Sequence, residues 1–404
     1  MKRESFRGVY LILRNATAPQ PAEIPTKITG GRSTTGGLGR QVEITGISKF
    51  YGDARAVDAV SLNVAPGEFL SLLGPSGSGK TTLLMMIAGF ETADQGVISV
   101  GTRDLTYVAP NERGIGMVFQ KYALFPHMTV AQNIAFPLKM RKFSSDDIGR
   151  KVKEALALVQ LEDYGERMPS QLSGGQQQRI AVARAIVFEP PVLLMDEPLG
   201  ALDKKLREQL QIEIKQLQQR LGITVLYVTH DQEEALTMSD RVAVMKDGRL
   251  EQIGTPVELY ERPGSAFVAD FIGKMNFIDG EWVGSGGASG IVRVRDCGSL
   301  AAHGNPRGSD TVLAARQPVR IAVRPEQWRI AKRGQGGEHA LSGVIQNAIF
   351  VGSYRVFLVR LGDDSVVHVQ LPSGQASQNL FEGENVDLSC EPDAIHLFPA
   401  RAAG

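Results

Sequence analysis

A glycine-rich segment, residues 74–81, has the residue types and spacing of a loop that binds phosphate groups. Its members are Gly74, Pro75, Ser76, Gly77, Ser78, Gly79, Lys80 and Thr81, which match the pattern G-x-x-x-x-G-K-[ST]. Glycines let backbone N–H groups wrap the phosphates, Lys80 reaches the β- and γ-phosphates, and Thr81 offers a hydroxyl to Mg²⁺. A dinucleotide-binding fingerprint does not fit, because Thr82 stands where its third glycine is required. The segment predicts a nucleoside triphosphate site.

Two adjacent carboxylates, Asp196 and Glu197, follow the apolar residues 192–195. The carboxyl end of a strand is the usual place of ligand chemistry in an open α/β sheet. Asp196 is suited to bind Mg²⁺ through water, and Glu197, one residue further out, to polarise an attacking water as general base. Such a pair is more often a solvated turn, but the phosphate loop upstream favours the catalytic interpretation.

Three further side chains are candidates for the same site. His230 follows a predicted strand that ends at Thr229, where it can hydrogen-bond the γ-phosphate and Glu197. Gln120 closes the strand-like residues 115–119 and can hydrogen-bond toward Mg²⁺ and the attacking water. Tyr51 is either a ring that stacks on adenine or an ordinary packed aromatic.

A serine-glycine-glycine turn precedes a segment that strongly favours a helix. The turn consists of Leu172, Ser173, Gly174, Gly175 and Gln176. Free N–H groups at a helix N-terminus attract anions. By itself such a turn is most often an ordinary helix cap, so its role depends on the residues around it.

Hydrophobic patterning predicts the elements that position these side chains. From Gln41 onwards short apolar strands alternate with helices, which predicts an α/β core with mainly parallel central strands. A helical insertion follows residue 121, and an amphipathic helix over residues 203–221 is stopped by Gly222. Its buried face is expected to contain Leu206, Leu210, Ile214, Leu217 and Leu221. After about residue 277, short Val/Ile/Leu segments between glycine-rich turns predict a small β-barrel.

Composition excludes several classes of protein. Basic and acidic residues balance at 44 each, so no overall field would hold nucleic acid or an anionic membrane. Cys297 and Cys390 suggest neither a metal site nor a disulfide framework, which fits a reducing cytosol. No apolar run reaches the ~18 residues of a membrane-spanning helix. Residues 9–13 are too short for a signal-peptide core, and residues 1–40 are expected to form a flexible extension.

Six separated elements resemble, in type and order, the nucleotide-binding subunits of ATP-binding cassette (ABC) transporters. They are the phosphate loop, Gln120, residues 172–176, Asp196 with Glu197, the run Gly200-Ala201-Leu202-Asp203, and His230. The match covers about residues 41–273. It implies an α/β fold of the P-loop NTPase type: an ABC ATPase domain over residues 41–276, with an inserted helical subdomain at about 121–175.

The resemblance also implies a role for each matching residue. Tyr51 would stack on adenine, Gln120 sense the γ-phosphate, Glu197 activate water and His230 position the γ-phosphate. Thr82 would join residues 74–81 in binding ATP, and Thr81, Gln120 and Asp196 would hold Mg²⁺. Ser173, Gly174, Gly175 and Gln176 would face ATP held by a second copy, and Asp203 would lie in the loop between subunits. Two nucleotides would then be sandwiched in a head-to-tail homodimer.

The C-terminal region resembles the OB-like (TOBE) domain of importer ATPases, most visibly at Val323-Arg324-Pro325-Glu326. This resemblance implies an all-β domain over residues 277–404. Residues 111–130 and 228–256 look most like spermidine/putrescine import ATPases, although ATPases of ferric iron, thiamine, sulfate, phosphonate and sugar importers share much of the sequence in these two segments.

A subunit of this kind would sit on the cytoplasmic face of the inner membrane. Its partners would be two transmembrane permease subunits and, indirectly, an extracytoplasmic solute-binding protein, with no nucleic acid. One alternative is a soluble cassette ATPase that acts on nucleic acid or ribosomes through its C-terminal barrel. Another, compatible with transport, makes the C-terminal domain a regulatory module.

Overall fold

The structure is a computed structural model that describes residues 37–200, 202–283, 289–303, 313–374 and 380–400. Residues 1–36 of the expected N-terminal extension lie outside this part of the chain, as does Ala201 of the Gly200-Ala201-Leu202-Asp203 run. Among the described helices, none combines the length and apolar character that crossing a bilayer requires.

The described residues form twenty strands and eight α-helices. The strands are β1 (Val42–Tyr51), β2 (Ala54–Val64), β3 (Phe69–Leu73), β4 (Gln95–Val100), β5 (Arg103–Asp104), β6 (Gly116–Val118), β7 (Val192–Asp196), β8 (Thr224–Thr229), β9 (Arg241–Lys246), β10 (Arg249–Gly254), β11 (Asn276–Val283), β12 (Ser289–Val294), β13 (Gly298–His303), β14 (Pro318–Val323), β15 (Arg329–Lys332), β16 (Leu341–Phe350), β17 (Tyr354–Leu361), β18 (Val366–Pro372), β19 (Asn385–Ser389) and β20 (His396–Pro399). The helices are α1 (Lys80–Ala88), α2 (Val130–Met140), α3 (Ser145–Leu158), α4 (Gly174–Ile186), α5 (Lys204–Leu221), α6 (Gln232–Met238), α7 (Pro256–Glu261) and α8 (Ala266–Phe271).

A six-stranded sheet, in the order β10-β9-β3-β8-β7-β6, positions the predicted site. Strands β9, β3, β8, β7 and β6 are parallel, and β10 pairs antiparallel with β9 at the edge. All residues of β3, β7 and β8 are buried, as a parallel sheet covered on both faces requires. The predicted α/β core with parallel central strands is confirmed. Because these strands are parallel, the segments that follow them meet at one edge of the sheet.

Two layers cover this sheet. On one face, apolar side chains of α1 pack against β3, β7 and β8 and against the antiparallel sheet β2-β1-β4-β5. On the other face, α4 and α5 pack against Phe69, Leu193 and Tyr227. The predicted apolar stripe of α5 is confirmed, since Leu210 and Ile214 are buried and the other members pack at the margin of the same cluster.

The helical insertion follows β6. Thr129 caps α2 through a capping box with Gln132, and Ser144 caps α3. Asn133, fully buried, accepts a hydrogen bond from the N–H of Phe125 and donates to three backbone carbonyls of the loop before α2. This side chain therefore fixes the segment that leads from Gln120 into the helices.

The C-terminal region is all β, as predicted. Its strands form a ten-stranded antiparallel sheet in the order β15-β19-β16-β13-β12-β11-β14-β20, with β17 paired to β16 and β18 paired to β17. One core cluster fills it, and Trp282, Trp328 and Phe357 are its largest side chains.

Candidate functional site

The phosphate loop connects β3 to α1 and approaches neighbouring backbone too closely for side chains at two glycines. A Cβ on Gly74 would lie 2.3 Å from the carbonyl oxygen of Met245. A Cβ on Gly79 would lie 2.2 Å from that of Ala56, and Gly79 has a φ of +94°. Gly79 also occupies the N-cap of α1 and supplies no side-chain cap. The first N–H groups of α1 are thus left for an anion.

Lys80 lies folded against this loop. Its ammonium donates to the carbonyls of Gly74 (2.8 Å) and Pro75 (2.9 Å), and only 5% of the residue is exposed. Burial lowers the pKa of Lys80, while the charges of Glu197 and Asp196 act in the opposite direction. A buried ammonium held by neutral carbonyls is a strong attractor for phosphate oxygens.

Thr81 and Asp196 meet at the start of α1. The Thr81 hydroxyl donates to Oδ1 of Asp196 at 3.1 Å. Burial raises the pKa of the Asp196 carboxyl, which the Thr81 hydrogen bond opposes. A hydroxyl and a carboxylate are the hard oxygen donors that Mg²⁺ prefers, so this pair fits the ion that the sequence predicts there.

Glu197 is held between two other predicted residues. Gln120 Nε2 donates to its Oε2 at 3.1 Å, and His230 Nδ1 lies 3.1 Å from its Oε1. The backbone of Glu197 has a positive φ of +43°, and its N–H donates to the carbonyl of Val228 at the end of β8. The ends of β6, β7 and β8 therefore bring three candidate residues together, with Gln120 and His230 on either side of the Glu197 carboxylate.

An open pocket of about 510 Å³ lies between the phosphate loop and Glu197, and His230 does not line it. Its lining residues are Ala56, Ser76, Gly77, Gly79, Lys80, Thr81, Thr82, Gln120, Asp196 and Glu197. All of them except Ala56 are site residues predicted from the sequence. Ala56 lies on β2 of the antiparallel sheet, where no sequence signal marks it.

The serine-glycine-glycine turn lies apart from that pocket. Ser173 is the N-cap of α4 and forms a capping box with Gln176, so in the single chain it is an ordinary cap. Ser173 and Gly174 are exposed. A Cβ on Gly175 would lie 2.9 Å from a methyl group of Leu206, so a larger residue there would require that leucine side chain to move. None of the turn's residues borders the pocket in the described part of the chain.

Two more predicted residues are also exposed rather than in the pocket. Tyr51, at the end of β1, is 50% exposed, with the Lys49 ammonium 5.5 Å from its ring centre. Asp203 is the N-cap of α5 and accepts a hydrogen bond from the N–H of Leu206 at 3.0 Å. A partner molecule or ligand can reach both residues.

Two buried arginines support the site, and sequence reasoning missed them. Arg113 donates to the carbonyls of Met86 and Ile87 (both 2.7 Å) in the last turn of α1. Arg184 of α4 donates to the carbonyls of Tyr122 and Ala123 (both 2.8 Å). Both residues lie in the loop that follows Gln120, and both have positive φ. An arginine in a sequence predicts an exposed residue, so nothing marked these as structural.

Comparison with known proteins agrees with this geometry. The sequence model of the family described as ABC transporter matches residues 57–200, and that of the TOBE domain matches residues 321–398. A spermidine/putrescine import ATP-binding protein PotA from Bacteroides thetaiotaomicron is 48% identical over 88% of this chain and 73% of the relative.

A second relative and one solved structure are also similar to this chain. The PotA protein of Thermobifida fusca is 45% identical over 89% of this chain and 93% of its own length. Among solved structures, cbiO1 of Clostridium perfringens, part of the ABC transporter complex cbiONQ, superposes with a TM-score of 0.51 and 31% identity, covering 54% of this chain and 89% of that one.

Proposed function

This chain belongs to the ATP-binding subunits of ABC transporters, and we propose that it drives the import of polyamines such as spermidine and putrescine. It is an ATPase of the cassette type that binds ATP and carries a TOBE domain. Spermidine and putrescine are the solutes named for relatives that are 43–48% identical over most of the chain.

One observation carries the proposed chemistry: the phosphate loop and the Glu197 carboxylate line one pocket. Phosphate oxygens would replace the carbonyls of Gly74 and Pro75 as hydrogen-bond acceptors of the Lys80 ammonium. The free N–H groups at the start of α1 would bind the same anion. Glu197, oriented by Gln120 and His230, would accept the proton of the attacking water. Mg²⁺, held by Thr81, Gln120 and Asp196, would neutralise phosphate charge.

A homodimer would complete each site. Ser173 and Gly174 are exposed at the start of α4 and lie outside the pocket, as residues that act on the nucleotide of a second copy would be. Asp203 is exposed at the start of α5, where it would meet the same partner. In this arrangement Tyr51, half exposed at the end of β1, would stack on adenine.

The remaining assignments follow from the family. We assign residues 41–276 to the ATPase domain, with its helical subdomain at about 121–175, and residues 277–404 to the TOBE domain. The chain would act at the cytoplasmic face of the inner membrane with two permease subunits, which a solute-binding protein supplies. The loop after Gln120, fixed by Asn133 and Arg184, would transmit motion to the permeases.

Replacing Glu197 with Gln tests the catalytic assignment. The amide keeps the shape of the side chain but cannot accept the water's proton, so we expect kcat to fall by roughly 10²–10⁴-fold. ATP binding should be retained, measured as fluorescent nucleotide displacement.

The same variant tests the homodimer. With Mg²⁺ and ATP this slowed variant should form a dimer, measured by light scattering. Undiminished turnover would remove Glu197 from the base role, and a variant that stays monomeric with saturating ATP would refute the homodimer.

The solute requires a separate experiment. Deletion of the gene in the source organism should abolish uptake of radiolabelled spermidine or putrescine, and the wild-type gene, but not the Glu197→Gln variant, should restore it. Normal polyamine uptake in the deletion strain, with loss of ferric iron, thiamine, sulfate, phosphonate or sugar uptake, would assign the chain to a related importer.

A further inference from the structure

One guanidinium joins the loop before α5 to the strand end that carries His230. Arg207, in the first turn of α5, donates from Nη2 to the carbonyl of Leu202 at 3.0 Å and from Nη1 to Oδ2 of Asp231 at 2.9 Å. Leu202 immediately precedes Asp203, and Asp231 immediately follows His230. Two loops with different proposed roles are thus held by a single side chain.

A buried carboxyl lies behind this guanidinium. Glu234 is 2% exposed and accepts hydrogen bonds from the hydroxyls of Tyr227 and Thr229, both at 2.7 Å. Its Oε1 lies 3.7 Å from Nε of Arg207, which has no hydrogen-bond acceptor among the described residues. The three nitrogens of the guanidinium, Nη2, Nη1 and Nε, therefore face Leu202, Asp231 and Glu234, which restricts the position of the side chain.

Asp231 is itself fixed by the backbone. Its Oδ1 accepts from the N–H groups of Glu233 (2.8 Å) and Glu234 (3.3 Å) at the start of α6, and its own N–H donates to the Thr229 hydroxyl. His230, between Thr229 and Asp231, has a side chain that is 58% exposed, so little packing holds it. Apart from the contact of its Nδ1 with Glu197, the position of its ring depends on the backbone that Thr229 and Asp231 hold on either side.

We propose that Arg207 is a positioning residue for ATP hydrolysis, which sets His230 and Asp203 relative to each other. This inference rests on the proposed function. Arg207 does not border the pocket, so it acts through these neighbours. The Arg207–Asp231 pair is about a quarter exposed on both sides, so its loss is expected to cost some stability as well. Thermal melts of each variant therefore accompany the rate measurements, and the positioning role predicts a rate loss in a chain that is still folded at the assay temperature.

Steady-state ATP turnover of the full chain tests the proposal with Arg207→Met. We expect kcat to fall by roughly 10- to 100-fold through misplacement of His230, while KM changes little. Arg207→Lys keeps a cation but loses the planar fork, so it should restore part of the rate. The matched control is Lys215→Met, also in α5. It removes a 2.9 Å ion pair with Asp240 and should leave kcat unchanged.

A double-mutant cycle with His230→Ala separates positioning from general structural support. If Arg207 acts through His230, the two losses are strongly less than additive in single-turnover rates; fully additive losses would overturn the proposal. Equal rates for Arg207→Met and the parent would also overturn it, as would an equal loss in Lys215→Met. A parent chain that does not hydrolyse ATP would refute the proposed function and this inference with it, whereas an active parent isolates the inference.

Discussion

Replacing Arg324 with Met should separate the unfolding of the C-terminal sheet from that of the ATPase region. Arg324 follows β14, is 3% exposed, and donates to the carbonyls of Tyr260, Ala269, Ile272 and Lys274 in and after α7 and α8. Its guanidinium also lies 4.0 Å from the ring centre of Tyr260. A methionine fills much of the same space but leaves these carbonyls without their donor.

The size of the effect follows from two opposed terms. Nη1 has two N–H groups for its three acceptors, so the four contacts amount to about three full hydrogen bonds. Each hydrogen bond from a charged donor contributes about 1.5–3 kcal/mol, which gives a gross loss of about 4.5–9 kcal/mol. Against this, burial of the guanidinium costs several kcal/mol that the variant no longer bears. We therefore expect a net destabilisation of about 3–5 kcal/mol, at the upper end for a single substitution.

The two tryptophans allow a clean assay, because both Trp282 and Trp328 lie in the C-terminal core. In urea titrations, their fluorescence follows this sheet, whereas far-UV circular dichroism at helix wavelengths follows the ATPase region. The Arg324→Met variant should lower the fluorescence midpoint and separate the two transitions. Arg329→Met, whose side chain is 70% exposed and pairs with Glu391, is the control and should change stability by less than about 0.5 kcal/mol. Coincident transitions within about 1 kcal/mol of the parent would refute the assigned role of Arg324.

Two further predictions concern the nucleotide pocket. Gly79→Ala should abolish ATP binding in the nucleotide-displacement assay and destabilise the chain by about 1–3 kcal/mol in thermal melts, because its Cβ meets the Ala56 carbonyl at positive φ. Gly77→Ala, with positive φ but no atom within 4 Å of its Cβ, is the control and should destabilise the chain less. Burial raises the pKa of Asp196, so its carboxyl favours folding below its unfolded pKa and opposes it as pH rises through the folded value. Ligand-free Asp196→Asn should thus melt above the parent at about pH 7, with the gap closing toward about pH 4; a parent that is more stable at neutral pH would contradict this.

Sequence reasoning located most of the pocket because the relevant signals are local. The phosphate loop is recognisable from eight consecutive residues, and the parallel-sheet rule places Asp196, Glu197 and His230 at one edge without knowledge of any contact. Helix α1 begins at Lys80, inside the phosphate-loop pattern itself. The left-handed φ of Gly79 sets that start, and a pattern of residue types does not reveal it.

The arginines show why the remaining structure could not be read from the chain. Arg113, Arg184 and Arg324 are each at least nine-tenths buried, and each donates to backbone carbonyls of a segment distant in sequence. Such a carbonyl is present at every residue, so neither composition nor spacing identifies which ones need a donor. Burial of a charge is tolerated only where several acceptors converge, which makes each position specific once the fold is known. In this protein most of the predicted site residues belong to short sequence motifs, whereas the arginines that hold the surrounding segments in place act through long-range contacts.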